Sequence, residues 1–122
     1  MRLQESGEMY LESIYVLSKA QGPVRSIDIS EYMGDSKPSV SRAVHRRKNG
    51  GYITMDKDNL ISLTESGMEI AQKIFERHTL IANLLIRLGV SEKTAAEDAC
   101  KLEHSISDES FEAIRRYKDH HL

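Results

Sequence analysis

The sequence predicts a mainly α fold, an N-terminal winged helix-turn-helix followed by an all-helical second domain. Three observations carry that expectation. Stretches of helical periodicity are broken by Gly, Pro, Asn and Ser. Two strand-like runs, YITM and LISL, flank a polar turn after the third of these stretches. Between the second stretch and the strands lies KPSVSRAVHRRK (residues 37–48), which holds five basic side chains and no acidic one.

The elements follow in chain order. Leu11, Ile14, Tyr15 and Leu17 recur at helical spacing within residues 4–20, and Gly22-Pro23 ends that helix. Ser26 is expected to cap a short second helix, IDISEYM, which stops at Gly34. Ser36 caps a third helix with Pro38 in its first turn, where the missing N–H costs nothing, and Asn49-Gly50-Gly51 ends it. Asp56-Lys57-Asp58-Asn59 joins the two strands as a hairpin turn. Thr64 or Ser66 opens a long helix through Ile74, His78, Ile81 and Leu85, closed by Gly89. Ser91 caps a fifth helix that runs to about His104, and Ser107 with Asp108 and Glu109 opens a sixth. The expected domains are residues 1–64 and 65–122, with no internal repeat and no flexible linker.

Composition narrows the function classes. Apolar residues make up 39% of the 122-residue chain and charged ones 30%, with 7 Gly and 2 Pro, which excludes collagen-like and disordered chains. No apolar run approaches the ~20 residues of a membrane span, and MRLQESGEMY lacks the apolar stretch of a signal peptide. A single cysteine, Cys100, rules out an intrachain disulfide, so the thiol is available as a ligand in a reducing compartment. A soluble, cytoplasmic protein without membrane contact is expected. The chain has no Gly-rich phosphate loop, no G-x-S-x-G and no H-E-x-x-H, so an enzyme is not expected, and neither is an organic substrate.

The net charge of −2 argues against a nucleic-acid binder only globally, because phosphate contacts need a local basic face. Helix, helix, turn, helix and hairpin is the order of a winged helix-turn-helix, whose second turn-flanking helix reads DNA with its N-terminal residues. Hydroxyls and guanidinium groups suit phosphate oxygens and guanine edges. The DNA-facing candidates are therefore Ser36, Lys37, Pro38, Ser39, Ser41, Arg42 and Arg46, with Lys57 at the hairpin tip touching backbone. Arg47 falls on the face of Val40 and Val44, and its guanidinium is expected to extend to the edge with only its stem packed.

A second constellation offers metal ligands. Cys100, Glu103 and His104 form C-x-x-E-H, and positions i, i+3 and i+4 of a helix share one face. Thiolate, carboxylate and imidazole are competent donors to a divalent transition metal. His78 occupies the apolar stripe between Ile74 and Ile81, and Met9 and Glu12 share a face of the first helix. Each has a plainer reading: a hydrogen-bonded core histidine, a core methionine, a surface carboxylate.

EMYLESIY (8–15), SKPSVSRAV (36–44), LTESG (63–67), ERH (76–78) and DACKLEHSISDE (98–109) resemble, in order and spacing, the diphtheria toxin repressor family of metal-dependent regulators. The resemblance implies a winged helix and an all-helical dimerisation domain that bind palindromic operator DNA as a metal-loaded homodimer controlling metal-homeostasis genes. With 122 residues it implies the short form without an SH3-like third domain. Met9, Cys100, Glu103 and His104 match the primary site of the iron-responsive branch. Glu12 and His78 match ligand positions of the manganese-responsive branch. His78 also matches a ligand position of the iron branch's ancillary site, whose remaining positions fall on Ala82 and Ala96, which cannot coordinate. Sulfur donors favour Fe(II), with Mn(II) next. The alternative is a winged-helix regulator that senses an organic small molecule without metal.

Overall fold

The computed structural model describes the backbone of residues 5–121 and the side chains of residues 7–120. Six helices and one hairpin succeed one another: α1 (Glu5–Gln21), α2 (Ser26–Met33), α3 (Lys37–Asn49), β1 (Ile53–Met55), β2 (Ile61–Leu63), α4 (Glu65–Arg87), α5 (Glu92–Ser105) and α6 (Asp108–His121). The expected start of the first helix at residue 4 lies outside the described residues. Contacts divide the chain into two compact units, Met1–Lys73 and Ile74–Leu122, with the boundary inside α4. No helix among the described residues is long and apolar enough to cross a membrane.

The first unit is a winged helix-turn-helix. Its core gathers Leu11 and Ile14 from α1, Val24, Ile29 from α2, Val40 from α3, and Ile53 and Ile61 from the hairpin, all 3% exposed or less. The turn between α2 and α3 is closed by Gly34, whose φ of 74° suits a residue without a Cβ and whose N–H bonds Ser30 O at 2.9 Å. Ser36 then caps α3 by accepting from the Ser39 N–H at 3.3 Å, and Pro38 sits in the first turn. β1 and β2 pair antiparallel in the register Ile53↔Leu63, Thr54↔Ser62 and Met55↔Ile61. The Ile61 N–H also bonds Val24 O at 2.8 Å, anchoring the wing to the α1–α2 connection. At the tip, Asp56 Oδ1 accepts from the N–H groups of Asp58 (2.8 Å) and Leu60 (2.9 Å), so the turn holds its own shape. Thr64, and not Ser66, caps α4: its hydroxyl oxygen accepts from the Gly67 N–H at 3.2 Å while the hydroxyl donates to Gly51 O at 2.7 Å.

Two expectations are corrected here. Ser26 does not cap α2 but is its first residue; the position before it belongs to Arg25, whose backbone N–H donates to Asp28 Oδ2 at 2.8 Å. A carboxylate in the first turn reaches back to a free donor and complements the helix dipole, which a hydroxyl one residue further in cannot do. Arg47 does not extend to the edge. It is 8% exposed, its Nη1 donates to Ala43 O at 3.3 Å, and its guanidinium lies 5.4 Å from the centre of the Tyr10 ring. An aromatic face and a carbonyl one turn back hold the head inside.

The second unit is all helical. Ile74, Leu80 and Ile81 of α4, Ala95 and Ala99 of α5 and Phe111 of α6 are buried. Ser91 caps α5 by accepting from the Thr94 N–H at 3.3 Å, and Ser107 serves α6 likewise for Ser110 at 3.1 Å.

Candidate functional site

In the second unit, α5 buries Ala95, Ala99 and Glu103 along one row. The row places a carboxylate where a third small apolar residue would complete the pattern, and Glu103 has no exposed surface. Two imidazoles flank it. His78 of α4 brings Nδ1 to 2.9 Å from Oε2, and His104 of α5 brings Nε2 to 3.2 Å from Oε1. The His104 side chain is enclosed (1% exposed), whereas that of His78 is partly open (29%). The His104 contact is close but lacks hydrogen-bond alignment, so Oε1 of Glu103 accepts no hydrogen bond from any described residue. A buried carboxylate oxygen without a donor is costly, and a divalent cation is one group that satisfies it. The donor chemistry therefore fits a metal. Cys100 stands one turn before Glu103 on α5 and is half-buried. Met9 and Glu12, three residues apart on α1 of the first unit, are both half-buried.

The sequence motif ERH contains a residue whose part was not foreseen. Arg77, 4% exposed, donates Nη1 to the carbonyls of Ile106 (2.9 Å) and Glu103 (3.4 Å) and Nη2 to Asp108. Its guanidinium stacks 5.2 Å from the Phe111 ring centre. One side chain of α4 thus satisfies the end of α5 and fixes the backbone of Glu103. An arginine beside a histidine on an apolar stripe is the signal that could have found it.

In the first unit, α3 buries Val40, Ala43, Val44 and Arg47 and leaves Ser41, Arg42, His45 and Arg46 exposed. Ser36, Lys37 and Pro38 are exposed at its N-terminus, and Ser39 is half-buried. Ser36 and Ser39 bond through their hydroxyls at 3.0 Å, and Arg42 Nη2 donates to Ser39 Oγ at 3.3 Å. These contacts orient the guanidinium along the helix. Lys57 is exposed at the hairpin turn, outside β1 and β2. Tyr10 of α1 donates its hydroxyl to Asp35 Oδ2 at 2.7 Å, tying α1 to the α2–α3 turn. Burial, then the bonded Asp35 carboxylate, pushes the Tyr10 phenol up to about 12. Burial, then neighbouring Arg46, pushes Arg47 below the usual guanidinium range.

Residues 2–60 match the sequence model of the iron dependent repressor N-terminal DNA binding domain. Residues 64–121 match that of the iron dependent repressor metal binding and dimerisation domain. The chain belongs to the iron-dependent repressor family. Relatives of this repressor chain include an HTH-type transcriptional regulator of Methanocaldococcus jannaschii, 34% identical over 119 residues, covering 96% of the chain and 95% of the relative. The transcriptional regulator MntR of Escherichia coli is 35% identical over 112 residues, covering 92% of the chain and 72% of the relative. Among solved structures, the manganese regulator SloR superposes with a TM-score of 0.81 at 29% identity, covering 98% of the chain and 55% of SloR. The chain thus spans about half the length of that solved structure. Family members are transcriptional regulators rather than enzymes, and the family includes iron- and manganese-named proteins alike.

Proposed function

We propose that this chain is a cytoplasmic, metal-dependent transcriptional repressor that binds palindromic operator DNA as a homodimer when loaded with Fe(II) or Mn(II), and so controls metal-homeostasis genes. The observation that carries the reading is Glu103, a fully buried carboxylate set between two imidazoles with one oxygen that accepts no hydrogen bond from any described residue. The proposed ligands are Met9, Glu12, His78, Cys100, Glu103 and His104. A bound divalent cation would supply the positive charge that offsets the carboxylates and the thiolate. Arg77 holds the Glu103 carbonyl in place, and Glu103 in turn orients the His78 ring.

Met9 and Glu12 lie on α1, which contributes Leu11 and Ile14 to the core of the DNA-binding unit. Metal affinity is thereby linked to the conformation of that unit, and a cation that prefers the DNA-competent state hundredfold shifts it by about 2.7 kcal/mol. Ser36, Lys37, Pro38, Ser39, Ser41, Arg42 and Arg46 then enter the major groove or touch its edges, and Lys57 contacts phosphate.

Thiolate and thioether tilt the ligand set towards Fe(II), with Mn(II) next. Anaerobic titrations of the parent and of Cys100→Asp with both ions, followed by DNA binding, test this assignment. A hard carboxylate in place of sulfur is expected to shift the ranking towards Mn(II). An unchanged ranking would remove sulfur from the coordination sphere.

A further inference from the structure

Beside α3 the first unit carries a recess of about 380 Å³ whose lining includes Tyr10, Asp35, Ser39, Arg42, Arg46 and Arg47. Its charge is unbalanced. Three guanidinium groups face one carboxylate, and Asp35 already accepts the Tyr10 hydroxyl at 2.7 Å. Arg47 is the unusual member, because it is more than nine-tenths buried yet its side chain makes a single hydrogen bond among the described residues, to Ala43 O. Its Nε is enclosed without a hydrogen-bond partner among the described residues. The position continues the apolar row of Val40 and Val44, where a methionine or leucine would fill the space at no electrostatic cost. Desolvation and the repulsion of Arg46 both work against the Arg47 charge, while the Tyr10 ring compensates only in part. A guanidinium buried beside a second cation calls for an anion, and its planar fork suits oxygens arranged as in phosphate.

We propose that this recess binds a phosphate group, with Arg47 as its buried cation and Arg42 and Arg46 at its rim. The group is either a phosphodiester of bound DNA or a free phosphate, since both present the same oxygens. Only the first source rests on the DNA-binding reading. Arg47, which belongs to none of the expected DNA contacts, thereby becomes a ligand of the backbone rather than of the bases.

Two arms test the site on the full chain without added metal. In the first, inorganic phosphate is titrated at constant ionic strength while the arginine Nε–H resonances are followed by NMR. A saturable shift of the Arg47 signal is expected, with no corresponding saturation when chloride is the titrant. In the second, binding of a duplex of arbitrary sequence is measured across salt concentrations for the parent, Arg47→Met and Arg47→Lys. Arg47→Met is expected to lower the salt slope by ~0.9, and Arg47→Lys to retain most of it. A response in the first arm alone identifies a free-phosphate site, and one in the second alone identifies a DNA-backbone site. A silent Arg47 resonance together with equal salt slopes overturns the proposal and leaves Arg47 as a packed side chain. The parent titration needs no variant, so misfolding of Arg47→Met does not decide the outcome. Failure of metal to alter DNA affinity would sink the function proposed above and leave both arms readable.

Discussion

Tyr10 shows how a single side chain can be tied to two duties. Its ring lies beneath the Arg47 guanidinium and its hydroxyl donates to Asp35, so α1, α3 and the turn before α3 meet at one phenol. Deprotonation would place an anion in a buried setting against the Asp35 carboxylate, which is why the phenol titrates at about 12 rather than 10. The linkage has a definite sign. A group whose folded pKa is raised contributes stability below its unfolded value, and that contribution is lost as pH rises from about 10 to 12. The loss amounts to about 3 kcal/mol for a shift of this size. Tyr10→Phe removes one hydrogen bond, worth ~1 kcal/mol at neutral pH, and with it the alkaline loss. Urea unfolding of the metal-free protein at pH 8 and pH 11 checks this: the variant is the less stable at pH 8, and the gap closes or reverses at pH 11. Parallel profiles would show that Tyr10 is not the titrating group.

At the scale of elements, the junction between wing and α4 leaves no room for a side chain at Gly67. Thr64 N–H bonds Tyr52 O at 3.0 Å, and a Cβ on Gly67 would fall on that same carbonyl oxygen. Gly67→Ala gains up to ~1 kcal/mol of helix propensity. Overpacking against backbone costs ~1–3 kcal/mol, and a carbonyl held in a turn cannot swing away as a side-chain tip does. Net destabilisation is therefore expected in a thermal melt; a raised Tm would mean that the hairpin base yields freely. The same junction shows what was legible beforehand. Pro38, Gly34, the turn at residues 56–59 and the order of helices were readable, because capping and turn chemistry act within a few residues. The C-x-x-E-H face was readable from the 3.6-residue period. What the opposing elements bring was not: the pairing of His78 with Glu103, the tie of Arg77 across 26 to 31 residues to the end of α5 and Asp108, and the Tyr10 ring that retains Arg47 all join residues distant in sequence. The cap of α2 was misplaced by one residue because a backward-reaching Asp28 and a forward-reaching Ser26 compete for the same helix start.

For the whole molecule, a chain with 17 basic and 19 acidic residues concentrates five of its positive charges in residues 37–48 and keeps a buried acid in α5. In the proposed function the first of these features serves DNA, the second serves metal, and the two are coupled. The most direct test is the affinity of the protein for a fluorescent duplex, selected in vitro from a random pool, measured anaerobically in chelator and in saturating Fe(II) or Mn(II). Glu103→Gln, which keeps the shape of the side chain and removes its charge, is measured beside the parent after circular dichroism confirms its helix content. The parent is expected to bind about a hundredfold more tightly with metal, and Glu103→Gln equally with and without it. Equal affinity of the parent in chelator and in metal would contradict the account.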